Sequence, residues 1–140
     1  MDALEKALEI ALKAHAGQKD QSGLPYILHP LRVMQNVTGY KPKIVALLHD
    51  VVEDTSYTLQ DLEASGFSGE VIEAVDCLTR RSHEDYFDYL ERLAQNPIAV
   101  QVKIADLTDN LDVKRLKVIT EKDRQRLNKY LKAMKILQEK

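Results

Sequence analysis

An apolar run, Ile44-Val45-Ala46-Leu47-Leu48, leads directly into His49-Asp50-Val51-Val52-Glu53-Asp54. The first half reads as buried helix. The second half puts four ionisable side chains into six residues of the same rod. Burying a charge without a partner is unfavourable, so a fold that hides the run must also compensate the charges. In a helix covering positions 43–54, His49 stacks over Glu53 and Asp50 over Asp54, each pair at i, i+4. Both pairs fall at the C-terminal end, where the helix dipole disfavours anions. Carboxylates gathered there imply a strong local positive charge.

The rest of the chain repeats the helical period. Leu4, Leu8, Ala11, Leu12 and His15 share one face of a first helix, with Asp2 and Glu5 as a capping pair and Gly17 beyond its end. Pro30, Pro42 and Pro97 suit first turns of helices, and Asn96 suits an N-cap. Thr58, Ser82 and Thr120 each precede an aspartate by three residues, near-matches to a capping box. The spacing predicts about seven or eight helices. No stretch alternates with period two long enough to make a strand. At 140 residues, with no repeat, low-complexity tract or linker, the expectation is one all-α helical bundle over residues 1–140.

Composition excludes several function classes. The formal net charge of −2 offers no electrostatic basis for binding a nucleic-acid polymer or an anionic membrane. No apolar run is long enough to span a bilayer, and the polar start lacks a signal-peptide core, so a cytoplasmic protein is expected. Cys77 is the single cysteine, which rules out an intrachain disulfide and a cysteine-based zinc site. Nothing in the pattern specifies an oligomeric state.

A divalent cation is the economical source of the missing positive charge. Histidine with aspartate suits Mn²⁺, Fe²⁺, Zn²⁺ or Co²⁺ better than Ca²⁺, which prefers oxygen cages. Two adjacent residues cannot complete a coordination shell, so further ligands are needed. His29 precedes Pro30 at a helix start, and Asp106 shares a face with Asn110 near the apolar stripe of Ile104, Leu107 and Leu111. Both are candidates to point inward. The plain readings elsewhere are a hydrogen-bonded core histidine for His15, an exposed His83, a buried structural thiol for Cys77 and core packing for Tyr86, Phe87 and Tyr89. Arg80 and Arg81, or Lys114 and Arg115, read as solvated cationic patches, with binding of phosphate groups as the alternative, and Asp109 and Asp112 as exposed or supporting at most.

Four segments in order carry a resemblance: Ala14-His15-x-Gly17-Gln18, Ser22-Gly23-x-Pro25-Tyr26-Ile27-x-His29-Pro30, Leu48-His49-Asp50-Val51-Val52-Glu53-Asp54-Thr55, and Val102-Lys103-Ile104-Ala105-Asp106 with Asn110-Leu111. The chain resembles the HD-domain metal-dependent phosphohydrolases, and more narrowly the hydrolase domain of RelA/SpoT-type enzymes and the small alarmone hydrolases that degrade (p)ppGpp. That resemblance implies His29, His49, Asp50 and Asp106 as ligands of one Mn²⁺-like ion. It implies Glu53 and Asp54 as the acidic pair that activates water, and Ser22 and Asn110 as contacts to a small nucleotide substrate. The implied reaction is hydrolysis of the 3′-pyrophosphate of ppGpp to GDP and pyrophosphate. Asp20 and Gln21, with Lys19 just before, stand where those enzymes usually carry a basic pair. This favours, as alternatives, another nucleotide or a phosphomonoester as substrate; a nucleotide-binding HD module without turnover is the third reading.

Overall fold

Side-chain caps set most of the helix starts. Asp2 accepts from the Leu4 N–H while Glu5 reaches back to the Asp2 N–H; Thr58 with Asp61 and Thr120 with Asp123 close the same reciprocal box. Asn96 accepts from Ala99 ahead of Pro97. Each such cap stabilises its helix by about 1 kcal/mol. Ser82 does not follow this pattern. Asp85 is itself the cap of the next helix, accepting from Phe87 and Asp88.

The computed structural model describes residues 1–139. Its elements are α1 (Ala3–Ala14), α2 (Leu28–Gln35), α3 (Tyr40–Leu48), α4 (Val51–Asp54), α5 (Leu59–Ala64), α6 (Gly69–Leu78), α7 (Tyr86–Leu93), α8 (Pro97–Asn110), a 3-10 turn (Val113–Arg115) and α9 (Glu121–Gln138). The only β pairing among the described residues is an isolated bridge between Lys19 and Pro25. The fold is an all-α bundle. Helix α8 runs through its centre, packed against α2, α3, α6 and α9. Ala99, Val102, Ala105 and Leu107 on its inner face are buried in the same core cluster as Val33, Val45, Leu48 and Val75. Among the described residues no helix is long and apolar enough to cross a membrane.

The helix expected over 43–54 is divided. It ends at Leu48, and His49 and Asp50 form a turn before the single-turn α4. The cause is local chemistry. His49 turns its Nδ1–H back to the Ala46 carbonyl at 2.6 Å, taking an acceptor near the end of the helix. Asp50 sits at φ −102°, ψ −5° as the N-cap of α4, its carbonyl accepting from the Asp54 N–H at 2.9 Å. Asp50 reaches Tyr26 and His29 beside α2 and Asp106 on α8, and the count rises to nine α-helical segments among the described residues.

Candidate metal centre

Three elements deliver the site. The start of α2 supplies His29, the α3–α4 turn supplies His49 and Asp50, and the last turns of α8 supply Asp106 and Asn110. His29 and Pro30 are both buried in the first turn of α2, as a proline lacking an N–H permits. One ligand atom from each of His29, His49, Asp50 and Asp106 lies within 4.8 Å of all the others. The His29 Nε2 is 2.8 Å from Asp106 Oδ1 and 3.7 Å from Asp50 Oδ2. The His49 Nε2 is 3.0 Å from Asp50 Oδ2 and 3.3 Å from Asp106 Oδ1.

Both imidazoles are oriented from behind. His29 donates from Nδ1 to Asp109 Oδ2 at 2.6 Å, and His49 donates from Nδ1 to the Ala46 carbonyl. With Nδ1 protonated, each ring turns Nε2 towards the shared centre, the arrangement that metal-binding histidines use to fix tautomer and basicity. Asp109 is in turn gripped by Arg32, whose Nε and Nη2 reach its two oxygens at 2.7 and 3.2 Å. Sequence reasoning left Asp109 as exposed or supporting at most, and the supporting role is the one it has. It is 7% exposed and is the principal anchor of His29. Its offset of three from Asp106 on a helix was the available signal.

Two more participants went unrecognised in the sequence. Tyr26 donates its hydroxyl to Asp50 Oδ2 at 2.5 Å. Lys103, one turn before Asp106, donates to Asp106 Oδ2 at 3.0 Å, while Asn110 donates to Oδ1 at 3.2 Å. Asp106 therefore presents one oxygen to the imidazoles and commits the other to a lysine.

The electrostatics fit a cation. Burial opposes charge on His29, but its hydrogen bonds to Asp106 and Asp109 prevail and carry its pKa up to about 9. His49 is raised in the same way, chiefly by the charge of Asp50. Asp50 is held at about 2 against its own burial by His49, and Asp106 is held well below the carboxylate range by Lys103 and His29. A buried and a largely buried carboxylate facing two imidazole nitrogens, without an ion, recruit protons. A divalent cation replaces those protons with charge of the same sign, and the N₂O₂ donor set suits a first-row transition metal.

The cluster opens into a cavity of about 310 Å³ that also reaches Glu53, Asp54, Arg80 and Lys129. Glu53 and Asp54 are exposed at its margin. Glu53 accepts from the Arg80 backbone N–H at 2.8 Å, and Gln18 donates to the Asp54 carbonyl at 3.3 Å. Partial burial, then the charges of Asp50 and Glu53, push the Asp54 carboxyl up to about 6. A second cavity of about 260 Å³ adjoins the first, sharing Tyr26, His29, Asn110 and Tyr130. Ser22 lies on its rim but donates its hydroxyl to Asp20 at 2.8 Å. Asp20 also accepts from the Ser22 and Leu24 N–H groups, so this carboxylate organises its own loop. Lys19, Arg32, Arg115 and Arg126 supply basic groups to the same cavity.

His15 is buried as expected, with Nδ1 bonded to Gln18 at 2.9 Å, but its Nε2 has no partner among the described residues.

With this geometry in place, likeness to known proteins is informative. The chain is 31% identical over 140 residues to a guanosine-3′,5′-bis(diphosphate) 3′-pyrophosphohydrolase of Aquifex aeolicus, covering 91% of this chain and 20% of that protein. It is 34% identical over 123 residues to the bifunctional (p)ppGpp synthase/hydrolase SpoT of Escherichia coli, covering 77% of this chain and 17% of that one. The solved structure of a metazoan SpoT ortholog, described as hydrolysing ppGpp, superposes with a TM-score of 0.80 at 25% identity, over 98% of this chain and 85% of the other. The chain belongs to the RelA/SpoT-type family of HD-domain proteins. It spans about a fifth of the length of the curated relatives it matches. No family model matches it.

Proposed function

We propose that this RelA/SpoT-type domain, residues 1–140 acting as one unit, is a metal-dependent phosphohydrolase of the cytoplasm whose substrate is ppGpp, cleaved to GDP and pyrophosphate. The observation that carries this reading is the meeting of His29, His49, Asp50 and Asp106 at the wall of a cavity that also holds Glu53 and Asp54. The names of the Aquifex and Escherichia relatives and of the metazoan neighbour support the choice of substrate.

Those four residues would hold the ion, for which Mn²⁺ is the proposed identity, and it would supply Lewis acidity towards water and positive charge towards phosphoryl oxygens. The chain's own groups do the rest. Glu53, its Oε1 fixed by the Arg80 N–H, accepts a proton from the attacking water, and Asp54 orients that water beside it. The water oxygen adds to the phosphorus carried on the ribose 3′ oxygen. The bond between that phosphorus and O3′ breaks, O3′ takes a proton, and pyrophosphate departs. Asn110, at the boundary of the two cavities, and Ser22, on the rim of the second, contact the nucleotide. The basic side chains Lys19, Arg32, Arg115 and Arg126 offer that second cavity a surface for phosphate.

The test is a substrate panel with Mn²⁺ present: ppGpp, nucleoside mono-, di- and triphosphates, and a phosphomonoester. Release of pyrophosphate from ppGpp, lost in His49→Ala and Asp50→Ala, is expected. Glu53→Gln should bind Mn²⁺ as the parent does while losing turnover by a factor of about 100 or more. Cleavage of another panel member with ppGpp untouched refutes the substrate, and turnover by metal-free His49→Ala refutes the mechanism.

A further inference from the structure

Three cations from three elements converge on one aromatic ring in the wall of the larger cavity. Measured to the centroid of Tyr86, the Arg80 guanidinium carbon lies at 5.7 Å, the Lys103 Nζ at 5.8 Å and the Lys129 Nζ at 4.6 Å. All three side chains line that cavity. Lys103 is neutralised by Asp106. Burial and the charges of Arg80, Lys103 and Arg126 all act against protonation of Lys129. A ring face offsets only part of such repulsion.

Arg80 is also aimed. Its Nε donates to the Glu84 carbonyl at 2.9 Å, and Glu84 is clamped by Arg92 at 2.8 and 2.9 Å. A guanidinium anchored through Nε keeps both terminal nitrogens for another acceptor. The same residue's backbone N–H holds Glu53, so the carboxylate proposed to take the water proton and this cation are fixed to one another.

We propose that Arg80 and Lys129 form an anion subsite for the terminal phosphoryl group of the substrate, the one not attacked, so that the cavity selects a diphosphate ester over a phosphomonoester. This inference rests on the hydrolase reading above and assigns the part of the substrate these residues bind. An anion there ends the repulsion among the three cations and gains charge-assisted hydrogen bonds from two of them.

The experiment is equilibrium dialysis of ³²P-labelled inorganic pyrophosphate, and separately inorganic phosphate, against the full chain at a fixed free Mn²⁺ concentration. The parent protein should favour pyrophosphate by about tenfold or more, and Arg80→Gln and Lys129→Gln should each weaken pyrophosphate binding by about tenfold. Phosphate binding and Mn²⁺ affinity should stay within about twofold, and Lys129→Arg should recover most of the loss. No preference in the parent, or a preference undiminished in both glutamine variants, overturns the subsite. Turnover of ppGpp measured alongside separates the two proposals. Absent turnover with the preference intact removes the proposed substrate and supports the subsite. Turnover with an unchanged KM in both variants overturns the subsite and supports the substrate.

Discussion

Asp109→Asn should loosen the ion without unfolding the protein, because the change turns one acceptor oxygen into a donor within a ring of donors. The Asp109 carboxylate accepts from His29 Nδ1 at 2.6 Å and from Arg32 at 2.7 and 3.2 Å, with Arg115 Nη2 at 3.5 Å. Asparagine keeps the shape but offers one acceptor oxygen and one NH₂. Whichever way the amide turns, its NH₂ confronts either the imidazole N–H or the guanidinium. His29 then loses its fixed tautomer or Arg32 loses its charged partner. Outer groups that orient a metal-bound histidine contribute about 10- to 100-fold in affinity, or about 1.4–2.7 kcal/mol. The donor left facing a donor costs the metal-free fold about 1–3 kcal/mol. Competition with a fluorescent chelator measures Mn²⁺ affinity, and thermal melts with and without Mn²⁺ separate binding from folding. Asp112→Asn is the control: its ion pairs with Lys114 and Arg115, at 3.9 and 3.5 Å, lie near the surface, and asparagine keeps the oxygen that accepts the Lys114 backbone N–H, so neither quantity should change appreciably. A folded Asp109→Asn protein that binds Mn²⁺ within about twofold of the parent would show that His29 needs no anchor, and the reasoning would fail.

Three further outcomes are expected. In the metal-free protein the His29 pKa is raised to about 9 from the usual 6.5 and His49 is raised as well, so their stabilisation is complete below pH 6.5 and lost as pH climbs through about 9. Mn²⁺ must displace those protons, so its affinity should rise with pH across that window, and calorimetry in buffers of differing ionisation enthalpy should detect proton release; a pH-independent affinity would contradict this. Tyr26→Phe removes the hydroxyl bonded to Asp50, which should lower thermal stability by about 1 kcal/mol and weaken Mn²⁺ binding several-fold, read by the same melts and chelator competition. Leu107→Ala empties a fully buried position on α8 and should cost about 2–5 kcal/mol in chemical denaturation; a loss under about 1 kcal/mol would mean α8 is not central to the core.

The parts of this fold written in local chemistry were legible. Asp2, Thr58, Asn96 and Thr120 marked helix starts because a cap involves residues only two or three apart. The residues around the centre were harder to read. Asp109 was passed over because its burial comes from the approach of α2, which brings His29 and Arg32 from about eighty positions away in the chain, a contact no periodicity reveals. The break at His49-Asp50 was missed for the opposite reason. Five consecutive apolar residues argue for continuing a helix, and the competing bond from His49 to Ala46 shows only once the ring must face Asp106. Lys103 and Asp106, three residues apart, could have been paired from spacing alone. Arg80 read as solvated because nothing in the sequence brings α9 and its Lys129 to the same tyrosine.

Helix α8 serves the bundle and the centre together: Ala99, Val102 and Leu107 pack inward from the helix that projects Lys103, Asp106, Asp109 and Asn110. Occupancy of the centre and survival of the whole domain are therefore one linked equilibrium. At a free ion concentration a hundred times the dissociation constant, binding adds about 2.7 kcal/mol to folding. On the proposed metal-dependent reading, stripping the ion should therefore lower thermal stability as well as activity.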